Sequence, residues 1–205
     1  MRQKGILTVI SGFSGAGKGT VVKKLIEEYE YSLSVSATTR QKREGEEHGR
    51  EYFFLTREEF ESMIEQHGLI EWAEYVGNYY GTPKTYVEAC LAEGKDVILE
   101  IELQGAMKVR QQFPDALLLF LAPPSIAELK KRLIGRGTET MEVIEERMQR
   151  AKEEGRYMEQ YDYLVVNDDL TVCTEQIHSV IQTAKLRTAR NQELISRLKE
   201  QLAQD

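Results

Sequence analysis

The chain has 205 residues with 27 Lys and Arg against 34 Asp and Glu, a formal net charge of −7, which argues against nonspecific nucleic-acid binding by the surface as a whole. Its 41% hydrophobic and 30% charged content is that of a soluble globular protein long enough for a proper core, and no apolar run approaches the roughly 20 residues of a spanning helix. Met1-Arg2-Gln3-Lys4 leads into no signal-like segment and Cys90 and Cys173 sit in no metal or redox spacing, so the expectation is a cytoplasmic protein with two reduced thiols that does not meet a membrane.

Taken in chain order, Ile6 to Ile10 predicts a buried strand, and Gly12-Phe13-Ser14-Gly15-Ala16-Gly17-Lys18-Gly19-Thr20 follows it, before the helical run Val21 to Ile26. Strand, glycine loop and helix in that order form a phosphate cradle. The glycines let successive amides point into one concavity, the helix start adds its dipole, and Lys18 reaches the outer phosphates. Gly19 stands where Ser or Thr usually follows the lysine, and Thr20 comes one residue later. No side chain is therefore assigned as a direct ligand of magnesium, which is expected to be held by phosphates and water.

Leu33 to Ser36, Val97 to Ile101, Leu117 to Leu121 and Tyr163 to Val166 read as further buried parallel strands of a doubly wound α/β core. Two segments interrupt the rhythm. From about Ala37 to Leu91 there are strand-like pieces at Glu51 to Leu55 and Ile70 to Tyr75 with a Gly77-Asn78 turn. A helix there is capped by Thr56 and Glu59 and ended by Gly68, and another is opened by Thr82 with Pro83 in its first position. From about Ser125 to Tyr157, a capping box at Ser125 and Glu128, a break at Gly135-Arg136-Gly137 and a second helix suggest a lid. Thr174 to Asp205 reads as one long helix whose stripe of Leu194, Ile195, Leu198 and Leu202 serves packing or a subunit contact, in a homodimer or larger homo-oligomer. The division is thus a core of residues 1–36, 92–124 and 158–205, an α+β lobe of 37–91 and a lid of 125–157.

Ser34 to Glu46, Glu51-Tyr52, Ile70 to Ala73 and Gly77 to Thr82 resemble the acceptor lobe of guanylate kinases. With the loop and the lid, the resemblance covers nearly the whole chain. It implies a P-loop three-layer α/β/α core around a parallel five-stranded sheet, with an inserted GMP-binding lobe and a helical lid. The implied activity is phosphorylation of GMP, and of dGMP, to GDP by ATP with magnesium. Small nucleotides are then the partners, and nucleic acid is not.

Glu71 is assigned to the guanine. A carboxylate accepts from both ring-edge NH donors at once, where adenine presents a repelling acceptor, and a carboxylate in an apolar strand needs donors. By resemblance Ser36 and Thr82 face the guanine carbonyl, and Arg40, Arg43, Tyr52 and Tyr80 face the acceptor phosphate, chemistry that suits guanidinium forks and phenols. Thr82 as a plain helix cap, the arginines as solvated charges and the tyrosines as core aromatics are the competing readings.

The attacking oxygen of a phosphate is already ionised, so no catalytic His is expected, only cations: Lys18 and, by resemblance, the lid residues Arg132, Arg136 and Arg147. Pairing with Glu139, Glu142, Glu145 and Glu146 is the alternative for those arginines. Glu100 and Glu102 are read as outer-shell groups for magnesium, Glu102 standing also beside the guanine where the family more often has Asp. By resemblance Asn167 is the candidate near adenine, with a simple turn after Val166 as the alternative, and His48, His67 and His178 are given no role. A noncatalytic module that grips phosphopeptides and a kinase of a sugar phosphate are the rival functions; an intact loop and the guanine-reading set argue against them.

Overall fold

The computed structural model describes residues 3–75, 77–135 and 140–204. Five parallel strands form the central sheet: β1 (Leu7–Gly12), β2 (Ser32–Leu33), β7 (Val97–Glu100), β8 (Leu117–Ala122) and β9 (Tyr163–Val166), in the order β2-β7-β1-β8-β9. Register runs Leu7 to Val97, Thr8 to Leu117 and Leu119 to Tyr163. All six residues of β8 are buried, as continuous apolar runs in a covered parallel sheet require. Helix α1 (Lys18–Glu28) packs on β1, β7 and α7 (Leu170–Lys185), while α3 (Lys84–Ala92) lies on β7 and α4 (Leu103–Gln112) on β1. Below the first strand, Asp96 accepts from the Ile6 amide at 2.9 Å and from Lys185 at 2.6 Å, tying β7 to β1 and α7.

A second, mixed sheet has the order β4-β3-β6-β5, built from β3 (Ser36–Thr38), β4 (Tyr52–Phe54), β5 (Leu69–Tyr75) and β6 (Asn78–Pro83). The run Leu33 to Ser36, read as one core strand, is divided: Leu33 pairs with β7, and Ser36 opens a strand of the other sheet beside Tyr52. Helix α2 (Arg57–Glu65) has the expected reciprocal cap between Thr56 and Glu59. Its end differs from expectation, since His67 rather than Gly68 takes the left-handed conformation (φ 53°). The Gly68 amide reaches back to the Met63 carbonyl at 2.8 Å and that of His67 to Ile64 at 3.1 Å, a Schellman closure.

Helix α5 (Ile126–Gly135) buries Leu129 and Leu133 but leaves Ile126 and Ile134 exposed. Ser125 caps the Glu128 amide at 3.1 Å, and the Glu128 carboxylate turns along the helix to Arg132. Helix α6 (Met141–Glu154) is capped by Thr140 and runs into a 3₁₀ turn, Gly155–Gln160. The single terminal helix expected from Thr174 is instead α7, a 3₁₀ turn at Thr188–Arg190 and α8 (Gln192–Leu202). The break is made by tertiary partners. Asn191 donates to the carbonyls of Lys185 and Arg187, and Arg190 donates to those of Lys4 and Gly5. No described helix is long and apolar enough to cross a membrane.

Candidate active site

Between β1 and α1 the chain turns through Gly12 (φ 150°), Gly15 (φ 94°) and Gly17 (φ 93°). Two of these are sterically forced. A Cβ on Gly12 would sit 2.1 Å from the Leu121 carbonyl oxygen, and one on Gly17 would sit 2.6 Å from Asn167 Nδ2. Gly17 caps α1 with no side chain, so the first amides of the helix are free to meet an anion. Phe13 anchors the loop by its buried ring, edge-on to Phe120 with centroids 5.0 Å apart, and Asn167 Nδ2 holds the Ala16 carbonyl at 2.8 Å from behind. Asn167 is thus a strut of the loop, and Asp169, two residues on, caps α7.

Lys18 Nζ curls over the loop to donate to the Gly12 and Phe13 carbonyls at 2.7 and 3.2 Å. Burial lowers its pKa, opposed by the carboxylates of Glu154, Glu100 and Glu102. Glu100 ends β7 with both carboxylate oxygens 3.7 Å from where a Cβ on Gly19 would stand. Surrounding protein raises its pKa and Lys18 works against that. Glu102 lies past the strand as the N-terminal flank of α4 and receives a hydrogen bond from Arg150 of α6, which also pairs with Glu154 at 3.6 Å. Among the described residues no cluster of three acidic, His or Cys side chains could hold a metal ion. Glu100 and Glu102, whose charges bear on Lys18, supply carboxylate oxygens of the kind magnesium takes.

Across the cleft stands the second sheet. Ser36, Tyr52, Thr82 and Glu100 line one cavity of about 140 Å³. Thr82 sits in β6, and its hydroxyl donates to Glu71 Oε1 at 2.7 Å, while α3 starts after Pro83 with no side-chain cap. The cap reading of Thr82 therefore gives way to a bond with the carboxylate. Burial raises the Glu71 pKa, with Thr82 and then Lys108 opposing the rise. Arg40 Nη2 donates to both carboxylate oxygens of Glu46, at 2.8 and 3.0 Å, and the guanidinium lies 5.4 Å from the Tyr52 ring centroid. Tyr52 and Tyr80 meet edge to face at 6.0 Å. Arg43 is exposed, with its amide on Glu46 at 2.8 Å. Guanidinium and phenols thus lie together, with Glu46 holding Arg40 and the Arg43 amide.

On the lid, Arg132 pairs with Glu128 at 3.1 Å, and Arg147 donates to Ser14 of the glycine loop at 3.0 Å. Arg136 lies outside the described residues. Sequence reasoning left out Glu46, Arg150 and Glu154; the only signal for the last two is their spacing of four on one helix, which ordinary surface pairs share.

A parallel sheet with a positive-φ glycine loop between its first strand and first helix, facing a lobe of cations and one sheltered carboxylate, defines a P-loop phosphotransferase. Residues 4–184 match the guanylate kinase family model, and the chain belongs to that family. It is 52% identical over 191 residues to the guanylate kinase of Lactococcus lactis, covering 93% of each chain. With that of Shouchella clausii it shares 54% over 202 residues, 97% of this chain and 96% of the other. A crystal structure of guanylate kinase from Anaplasma phagocytophilum superposes with a TM-score of 0.72 at 33% identity, over 92% of this chain and 90% of that one.

Proposed function

We infer that the protein transfers the terminal phosphoryl group of ATP to GMP, and to dGMP, giving ADP and GDP or dGDP. The observation that carries this reading is the sheltered Glu71, hydrogen-bonded to Thr82, which lines one cavity together with Glu100, a carboxylate whose charge bears on Lys18 of the glycine loop. A carboxylate there selects a base with two adjacent NH donors, and a backbone cradle there selects a polyphosphate. Family membership over residues 4–184 supports the same pairing.

In this reading Gly12 to Thr20 cradle the donor phosphates, and Lys18 leaves its carbonyl partners to follow the transferring group. Arg132, Arg136 and Arg147 close over it from the lid, and Asn167 keeps the loop in shape beside the adenine. Ser36 and Thr82 face the guanine carbonyl edge. Arg40, Arg43, Tyr52 and Tyr80 neutralise the acceptor phosphate, whose own oxygen attacks in line without a general base. Magnesium carried by ATP would neutralise the bridging oxygens, with Glu100 and Glu102 reaching its water shell. The working units are a core of residues 1–36, 92–124 and 158–205, a lobe of 37–91 and a lid of 125–157, with the lobe and lid closing on the core. The exposed leucines of α8 suit a contact between subunits.

A panel of nucleoside monophosphates with ATP, with and without magnesium, tests the reading in a coupled ADP-release assay. GMP and dGMP should turn over and AMP, CMP and UMP should not, with activity lost when magnesium is chelated. Equal turnover of AMP and GMP would remove the role given to Glu71.

A further inference from the structure

Glu71 lies where its strand is least regular. The pairing of β5 with β6 shifts register between Leu69 and Trp72, so the ladder that normally fixes the roll of a strand is interrupted at the residue whose side chain must be aimed most accurately. The missing constraint comes from α4, which packs against β5 from the core. Gln112 Nε2 donates to the Ile70 carbonyl at 2.7 Å and Lys108 Nζ donates to the Trp72 carbonyl at 3.1 Å. Those carbonyls flank Glu71 on both sides. One turn earlier a Cβ on Gly105 would sit 3.2 Å from Glu71 Oε2 and 3.3 Å from its Cγ, so the helix leaves room for the carboxylate at that point. Residues 105, 108 and 112, spaced by three and four, share one face of the helix.

We propose that Lys108 and Gln112 are positioning residues for base selection, gripping the irregular stretch of β5 so that Glu71 presents both oxygens in the plane of the guanine edge. The inference rests on the base-reading role given to Glu71 above. Lys108 acts a second time through its charge. The groups that bear on Glu71 are Thr82 from β6, Lys108 from α4 and Glu102 ahead of α4; the first two favour the ionised carboxylate and the last disfavours it. Only the ionised form accepts from both guanine donors. Lys108 therefore sets geometry and ionisation together, and Gln112 sets geometry alone. One helix, by its N-terminal flank at Glu102 and its face at 105, 108 and 112, links the nucleobase end of the cleft to the carboxylates around Lys18.

The test compares kcat/KM for GMP and IMP, because IMP keeps the ring NH and lacks the exocyclic amine. Their ratio reports whether the carboxylate still meets both donors, and partial unfolding lowers both values equally and leaves the ratio alone. Gln112→Leu and Lys108→Met should each lower the GMP:IMP ratio by roughly five- to tenfold, about the worth of one ordinary hydrogen bond. Lys108→Met should also move the acid limb of kcat/KM for GMP to higher pH, Gln112→Leu should leave that limb in place, and Lys108→Arg should restore both readouts. Glu71→Gln is measured beside them and should abolish most of the discrimination. If Glu71→Gln collapses the ratio while Gln112→Leu and Lys108→Met leave it at the wild-type value, the positioning role is overturned and the base-reading role stands. If Glu71→Gln leaves the ratio untouched, the base-reading role fails and the positioning role fails with it.

Discussion

In the glycine loop between β1 and α1, the groups proposed to meet a ligand are backbone amides placed by sterics; in the proposed acceptor lobe they are side chains, of which Arg40 and Glu71 are held by other side chains. Gly12 cannot be replaced without striking the Leu121 carbonyl, whereas Arg40 is held by the Glu46 carboxylate and the Gln41 carbonyl, and Glu71 is steadied by Thr82. The loop springs from the end of β1, beside the wholly buried β8, and is anchored by the buried Phe13 and Ala16. The lobe's own core is small, built on Ala37, Phe60 and Leu69. Rigidity therefore belongs to the donor side and adjustability to the acceptor side, which suits a loop that grips any polyphosphate and a lobe that must choose one base.

The largest effect that would sharpen this contrast is expected at Lys18. Lys18→Ala should lower kcat by about 10³-fold or more, as loss of a preorganised charge at a transferring group does. Its melting temperature should fall little, because Lys18 now satisfies only loop carbonyls; a variant with near-normal turnover would break the assignment. Next comes Glu46→Gln, which releases Arg40 without removing it. KM for GMP should rise by roughly tenfold with kcat within about twofold, the loss of one charge-assisted pair. A change in kcat alone would place Arg40 on the transferring phosphoryl group.

The smallest effect is one of stability. Burial raises the Glu71 pKa above its unfolded value, so folding favours the protonated acid. That contribution is fully present below the unfolded pKa of about 4.3 and is lost as pH rises through the higher folded value. Glu71→Gln should match the wild-type melting temperature near pH 4 and exceed it by roughly 2 °C at pH 8. A variant less stable than wild type at pH 8 would show that the carboxylate is already fully compensated in the empty site.

How far these features could be read from the residues follows the same contrast. The loop was legible because glycine spacing states a steric requirement, and the cap of α2 because Thr56 and Glu59 satisfy each other within one turn. Glu71 stands out by itself as a carboxylate in an apolar strand, whereas the arginines and tyrosines proposed beside it rest on family resemblance, since nothing in an arginine or a tyrosine distinguishes a ligand from a surface group. What escaped depended on distant partners. The break after α7 comes from Arg190 reaching the Lys4 and Gly5 carbonyls, 186 and 185 residues away. The grip on β5 comes from Lys108 and Gln112, 36 and 42 residues from their acceptors. Ser36 left the core strand because its pairing partner is Tyr52, a choice made by the sheet and not by the local pattern.

Crossed calorimetric titrations of ATP and GMP against Lys18→Ala and Glu71→Gln test the separation of the two sites most directly. Lys18→Ala should weaken ATP while leaving the Kd for GMP near its wild-type value, and Glu71→Gln should do the reverse. Equal weakening of both nucleotides by either variant would contradict a donor cradle and a base reader that work as distinct parts.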